Sequence, residues 1–344
     1  MYDLLPISCV MEYRIKDNSR CGVIGYGTWA TALVYTLQRN GKDIWWHIRN
    51  EEVLESMAAE GRNAKYLSDV EFRREKITAT PDVNEVVRNC EVILVAAPSA
   101  YLKDFLKELT EPLEGKFILS ATKGIIPDDY TTITEFFNRS YGIPYDRLGL
   151  ISGPSHAEEV SRNHLSYLTV ATKEPENGRL IGEMFATDSV KISYSADIYG
   201  IEYAGILKNI YALAAGLCSG LGYGDNFRAV LTSACAAEMT RYIQESYPFE
   251  RCTLNSAYLG DLLVTSYSSF SRNRRLGQMI GRGCTVKSAL NEMTMVAEGY
   301  FAAACIHHIN ERHGISMPIA DMVYDVLYRR ANPRKRMKEL TELL

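Results

Sequence analysis

The sequence predicts an α/β first half built on a doubly wound, mainly parallel sheet, followed by an all-helical second half. Three observations predict it. Short apolar runs that end in Gly, Pro or Ser recur through the first half. A glycine turn joins the first run to an amphipathic segment, and beyond Asp197 the texture changes to long Ala-rich stretches of helical period. A chain of 344 residues also has room for two domains that each bury a core, at roughly 150 residues per domain. The expected division is an extension over 1–19, an α/β domain over 20–197, a helical domain over 198–332 and a polar, solvated tail over 333–344.

Taking the first half in order, Cys21-Gly22-Val23-Ile24 is an apolar strand that runs into Gly25-Tyr26-Gly27-Thr28-Trp29-Ala30. Ala30, Leu33, Val34 and Leu37 then recur at helical spacing, Asn40-Gly41 stops the helix, and Asp43 to Ile48 forms a second strand. Strand, glycine turn, helix and strand at this spacing make a nucleotide-binding unit. Gly25 permits the tight turn, Gly27 lets backbone approach a pyrophosphate, Ala30 keeps helix and sheet close, and the helix N-terminus offers free N–H groups to the anion. The acid that commonly holds a ribose 2′-hydroxyl is missing from Trp45-Trp46-His47-Ile48-Arg49. Arg49 or His47 there faces a 2′-phosphate, which favours NADP or dual use, unless Arg49 is simply solvated.

Further strands follow at Val92–Ala97, Phe117–Ser120 and Leu148–Ile151, ending at Pro98-Ser99, Lys123-Gly124 and Gly153-Pro154-Ser155. Ligands of open α/β sheets bind beyond the carboxyl ends of strands, so Lys123 is a functional candidate as well as a candidate loop lysine. Leu168–Ala171 and Val190–Tyr194 extend the sheet.

In the second half, Tyr199 to Gly216 is a helix with a stripe of small residues at Ala204, Gly205, Ala212 and Ala215, which permits close packing. Lys208 in this apolar stretch either snorkels outward or sits in a site where burial depresses its pKa. Asp261 is a helix N-cap or a site carboxylate. Ser271-Arg272-Asn273-Arg274-Arg275 carries enough donors for one phosphate, or forms a solvated basic patch. The basic run from Arg329 to Lys338 reads as the start of the solvated tail.

Composition narrows the function classes. The chain is 47% hydrophobic and 23% charged, with 24 Gly and 11 Pro, which excludes disordered and collagen-like classes. Its 38 basic against 42 acidic residues give a net charge of −4, which argues against a nucleic-acid partner. The longest apolar run, Ile210 to Leu221, is short of the roughly 18 to 20 residues that span a bilayer, so no membrane insertion is expected. Leu4 to Met11 is interrupted by Pro6 and preceded by Asp3, and reads as an N-terminal extension, with Met11 an alternative start, rather than a signal peptide. The eight cysteines lack CxxC spacing and read as buried reduced thiols of a cytoplasmic protein. His307, His308 and His313 do not share a helix face, so no metal site is expected.

Together these residues resemble the NAD(P)-dependent glycerol-3-phosphate dehydrogenases from about residue 20 to 330. The resemblance rests on ordered strings: Ile24-Gly25-Tyr26-Gly27-Thr28-Trp29, Ser120-Ala121-Thr122-Lys123-Gly124, Ser152-Gly153-Pro154-Ser155-His156-Ala157, Gly205-Ile206-Leu207-Lys208-Asn209, Gly260-Asp261-Leu262, Ser271-Arg272-Asn273 and Val296-Ala297-Glu298-Gly299. It implies an N-terminal Rossmann domain, a C-terminal domain of the 6-phosphogluconate dehydrogenase C-terminal-like type, and an active site between them. By the same resemblance Lys208 is the proton donor and acceptor, with Lys123, Asp261, Asn209 and Thr265 completing the catalytic group. Gly153, Ser155, Ser271, Arg272 and Asn273 join Lys123, Lys208 and Asp261 in holding substrate. Thr28, Trp29, Arg49, Lys123, Ala157, Arg272 and Glu298 join Gly25 and Gly27 around the cofactor, NAD or NADP with NADPH favoured.

The implied reaction is reversible reduction of dihydroxyacetone phosphate to sn-glycerol 3-phosphate in a cytoplasmic homodimer that supplies phospholipid synthesis. The alternative is a related two-domain hydroxyacid-type dehydrogenase with another phosphorylated or acidic substrate. Two strings depart from the family pattern: Thr232-Ser233-Ala234 lacks an arginine, and Asn255-Ser256-Ala257-Tyr258-Leu259 replaces a glycine-rich run.

Overall fold

The computed structural model describes residues 13–293 and 295–344. Ten strands form among the described residues: β1 (Cys21–Ile24), β2 (Ile44–His47), β3 (Ile77–Thr80), β4 (Val92–Val95), β5 (Phe117–Ser120), β6 (Ile125–Ile126), β7 (Thr131–Thr132), β8 (Leu148–Ser152), β9 (Ser166–Thr172) and β10 (Val190–Ser195). Eight of them make one sheet in the order β10-β9-β8-β5-β4-β1-β2-β3, and β6 pairs with β7 in a separate antiparallel ribbon. All neighbours in the large sheet are parallel except β8 and β9, whose antiparallel junction reverses the last two strands.

Helices cover both faces, which is why β1, β4 and β5 are continuous apolar runs rather than alternating ones. Leu33, Val34 and Leu37 of the helix Thr28–Arg39 pack with Ile181 and Phe185 on one face, and Val86, Leu102 and Phe137 pack on the other. The strand order reverses between β1 and β4, and Gly25 lies at the end of β1 beside that crevice. Its φ is +112°, and a Cβ there would stand 2.7 Å from the Ala96 backbone, so only glycine fits.

From Ile198 onward the described residues form helices and their connections, around a core that includes Ile206, Leu213, Tyr211 and Tyr242. The helix Ile198–Gly220 runs through its middle, and Arg272–Gly281 lies tightly against it. A Cβ on Gly216 would meet Arg274 O at 2.1 Å, and one on Gly277 would meet Leu213 O at 2.2 Å. The close approach therefore falls at Gly216 and Gly277, beyond the small-residue stripe expected from the sequence.

Several expectations are corrected. Residues 13–19 belong with the sheet domain: Ile15 is buried, its N–H donates to Asn177 Oδ1 at 2.8 Å, and Asn177 Nδ2 donates to Tyr13 O at 2.9 Å. Of the extension expected over 1–19, residues 1–12, Cys9 among them, lie outside the described residues. The C-terminus is not a solvated tail: Pro333–Thr341 is a helix capped by Asn332, with Met337 and Leu340 buried in the helical core. Strand β3 had no counterpart in the sequence reading. Of the thiols, Cys21, Cys90, Cys218, Cys235 and Cys305 are buried as expected, whereas Cys252 and Cys284 are exposed.

Candidate active site

Lys208 points from the buried middle of Ile198–Gly220 and is only 6% exposed. Its Nζ donates to Asp261 Oδ1 at 2.6 Å and to Thr265 Oγ1 at 3.0 Å. Asp261 and Thr265 are one turn apart on the helix Asp261–Tyr267, and Thr265 Oγ1 in turn donates to Asp261 O at 2.6 Å. The other carboxylate oxygen of Asp261 accepts from Lys123 Nζ at 2.8 Å, and Lys123 also donates to Gly153 O at 2.8 Å. One buried carboxylate thus lies between two ammonium groups brought from different halves of the chain.

The charges set each other's proton affinity. Burial opposes ionisation of Asp261, but Lys123 and then Lys208 outweigh it and hold the carboxyl below its usual range. Burial pushes Lys208 down, the Asp261 charge pulls it back, and the Lys123 charge pushes it down again, leaving it at about 7. An ammonium has three protons, and only two are taken by protein acceptors. Lys208 lines a cleft, so the third is available to a reacting oxygen there.

Around this pair the polar side chains are tied into a lattice. Asn209 Nδ2 donates to Lys123 O at 2.8 Å, and Asn273 Nδ2 donates to Asn209 Oδ1 at 2.9 Å. Asn273 Oδ1 then accepts from Gly299 N at 3.0 Å. Asn273 is therefore mainly a connector, with one amide N–H left for a ligand. Arg272, the first residue of its helix, is exposed at the cleft, and its guanidinium makes no hydrogen bond among the described residues. Ser271 caps that helix, accepting from Arg274 N at 3.3 Å. Glu298 accepts from Ser99 N at 2.9 Å and from the Ser99 hydroxyl, a contact passing so close to Gly124 that a Cβ there would be 2.4 Å from Glu298 Oε2.

The dinucleotide turn opens onto the same cleft. The helix Thr28–Arg39 starts after Gly27 with no side-chain cap, leaving its N–H groups available to an anion, and a Cβ placed on Gly27 would find nothing within 4 Å. Trp29 Nε1 is buried without a partner. An open anion-binding turn with an orphaned donor fits a dinucleotide. Arg49, past the end of β2, is held against the Phe105 ring at 3.8 Å and pairs with Asp104 at 2.6 Å. His47 is not the alternative cation: its ring is buried, bonded to Pro81 O at 3.2 Å, and lowered to about 4 by burial and then by the Arg49 charge.

Gly27, Thr28, Trp29, Lys123, Ser155, Ala157, Lys208, Asn209, Asp261, Thr265, Ser271, Arg272, Asn273 and Glu298 line one open cleft of about 220 Å³. Gly25, Arg49 and Gly153 lie off its lining. Gly25 shapes the turn beneath it, Gly153 lends its carbonyl to Lys123, and Arg49 stands apart at the end of β2. Sequence reasoning missed Ser99, the partner of Glu298, and His156, which lines the cleft and whose Nε2 is buried without a partner. Ser99 was findable as the first polar residue past a buried strand; His156 carried no signal beyond its string. No group of three or more His, Cys, Asp or Glu suited to a metal occurs among the described residues.

Comparison with known proteins agrees with this architecture along nearly the whole chain. A glycerol-3-phosphate dehydrogenase [NAD(P)+] from Staphylococcus carnosus is 32% identical over 324 residues, 94% of this chain and 97% of that protein. One from Oceanobacillus iheyensis is 33% identical over 322 residues, 93% of each. The crystal structure of glycerol-3-phosphate dehydrogenase from Coxiella burnetii superposes with a TM-score of 0.87 at 28% identity, over 95% of this chain and 100% of that one. D-mandelate dehydrogenase, at 12% identity and a TM-score of 0.55 over 90% of this chain and 98% of that one, shares the fold alone. Residues 20–178 and 197–338 match the N-terminal and C-terminal parts of one family, and the chain belongs to the NAD-dependent glycerol-3-phosphate dehydrogenases.

Proposed function

We propose that this protein interconverts dihydroxyacetone phosphate and sn-glycerol 3-phosphate with NAD(P)H, and that Lys208 moves the proton. The observation that carries the reading is the buried Lys208–Asp261–Lys123 cluster at the cleft that also receives the dinucleotide turn and Arg272. A bound nicotinamide supplies the hydride to the ketone carbon. The chain's own residues do the rest. Lys208 gives its free proton to the developing alkoxide and recovers it in the reverse direction, a task suited to a group that titrates at about 7. Asp261 and Thr265 fix the direction of that ammonium. Lys123 keeps Asp261 ionised. Arg272, a planar fork at a helix N-terminus beside Ser271, takes the substrate phosphate, with the spare amide N–H of Asn273 as a second donor.

The test is oxidation of NADPH and of NADH, followed by nicotinamide absorbance, on adding dihydroxyacetone phosphate or a 2-keto acid. Turnover with the first is expected, and turnover only with the second would replace this reading by the hydroxyacid alternative. Lys208→Ala is expected to lose about 10²- to 10⁴-fold in kcat, the usual share of general acid catalysis, and near-normal turnover would remove Lys208 from the role.

The strand end from Trp45 to Arg49 carries no carboxylate, and Arg49 in its place supports NADPH over NADH. A higher kcat/KM with NADPH that collapses in Arg49→Ala tests it. A cytoplasmic homodimer feeding phospholipid synthesis is the assembly we favour, on the family resemblance; none of the helices among the described residues is long and apolar enough to cross a membrane. Sedimentation of the purified protein reads the dimer directly.

A further inference from the structure

Asp261 does not begin an ordinary helix. It follows directly on a π-turn, Ser256–Gly260, and the shape of that turn decides where its carboxylate lies. A π-turn carries one residue more than an α-turn, so relaxing it would rotate everything after it by about 100°. Something must hold it. Tyr258, at the centre of the turn, is buried in the helical core, and its hydroxyl donates to Asp197 Oδ2 at 2.6 Å.

Asp197 is also the N-cap of the helix that carries Lys208. Its Oδ1 accepts from Gly200 N at 2.9 Å, an arrangement open only to glycine at 200, because a Cβ there would stand 2.1 Å from Asp197 Oδ2. Arg251 closes the node, donating from Nε to Oδ2 at 2.6 Å and from Nη2 to Oδ1 at 3.3 Å. The side chains of this ion pair are 3% and 2% exposed, and Arg251 also donates from Nη2 to Tyr247 O and from Nη1 to Gln244 Oε1, both at 2.9 Å. Asp197, Arg251 and Tyr258 all lie off the cleft lining, so none touches a ligand there. A buried ion pair is a weak source of net stability, which directs attention to what this one joins. It ties the start of the Lys208 helix to the turn that delivers Asp261.

We propose that the Asp197–Arg251–Tyr258 node is a positioning device that fixes the register of the π-turn against the Lys208 helix and so holds the Asp261 carboxylate on the Lys208 ammonium. The inference deepens the proton-transfer reading above and rests on it. Tyr258, Arg251 and Asp197 act through Asp261, which is one turn beyond the tyrosine. The signature is therefore kinetic and conditional. Tyr258→Phe keeps the ring and removes only the anchor. It lowers kcat about tenfold with both KM values within about twofold, a loss within the usual range of coupling between interacting residues. It also moves the alkaline limb of the reduction to lower pH, because Asp261 no longer supports the charged lysine. In an Asp261→Asn background the same substitution costs less than about twofold, since the group it acts through is already neutral.

The experiment is a double-mutant cycle of Tyr258→Phe with Asp261→Asn, read by kcat, KM and the pH limb. Arg251→Gln serves as a second entry to the node should the phenylalanine variant not fold, with the same pattern expected. A variant that melts earlier while kcat and the limb stay at parent values makes the node structural only and overturns the proposal, as do equal kcat losses in both backgrounds. Lys208→Met with near-parent turnover would instead remove the proton-transfer reading on which it rests.

Discussion

At the scale of single residues, Lys208 is governed by two neighbours of opposite sign, and that makes its titration testable in both directions. Reduction needs the ammonium, so kcat for dihydroxyacetone phosphate should fall as pH rises through about 7; oxidation needs the free amine and should rise over the same interval. Asp261→Asn removes the charge that raises Lys208, and the alkaline limb of the reduction should move to lower pH. Lys123→Met removes a charge that lowers it, so the limb should move to higher pH. Limbs that shift together, or stay in place, would separate the observed pH dependence from this cluster. Arg272 gives a different signature. Arg272→Ala should raise KM for dihydroxyacetone phosphate about 10- to 100-fold, the worth of hydrogen bonds to a charged group, and lysine should not restore it because it has no fork. An unchanged substrate KM would assign the phosphate elsewhere.

At the scale of elements, the proposed site geometry depends on how closely Arg272–Gly281 packs on Ile198–Gly220, since one brings Arg272 and the other Lys208. Gly216→Ala would place a methyl 2.1 Å from Arg274 O and should cost about 1 to 3 kcal/mol of stability by overpacking, with a raised KM as Arg272 shifts. Gly205→Ala on the same helix meets nothing nearer than Lys123 Cγ at 3.6 Å and should be neutral or stabilising. Chemical denaturation of the two variants separates them, and equal losses would mean that helix contact is not what Gly216 protects. This close approach was only partly legible in the sequence. Helical period located the helix and its small residues, but the partner at Gly277 is set by tertiary packing that one chain's pattern does not carry. The same limit hid β3, an edge strand whose Ile77 and Ala79 are only part-buried and which lacks an apolar run. It also hid Pro333–Thr341, where exposed basic residues mask the buried Met337 and Leu340. The turn at Gly25 and the strand ends were legible because backbone constraint there leaves a residue-type signature.

At the scale of the whole molecule, the cleft exists only while both halves hold their places, and buried polar ties across them do that work. Lys123 reaches Asp261, Asn209 reaches Lys123 O, and Ser99 reaches Glu298. A further tie lies away from the chemistry: Glu202, on the Lys208 helix, accepts from Thr134 N at 3.0 Å and from the Thr134 hydroxyl at the start of the helix Ile133–Tyr141. Burial pushes the Glu202 carboxyl above its usual range while the Thr134 bonds hold it back. Thr134→Val keeps the shape and removes one donor, leaving a buried acceptor short of a partner at a cost of about 1 to 3 kcal/mol. Because the tie joins the halves, the loss should lower one common unfolding transition instead of one of two. NADPH at a hundred times its dissociation constant should return about 2.7 kcal/mol, enough to offset most of that loss, since it binds only the assembled turn. Calorimetry of parent and variant, with and without NADPH, tests both statements. Two transitions, with only one moved by NADPH and the one that melts the helical half unmoved by Thr134→Val, would show halves that fold independently and would leave the cleft without this brace.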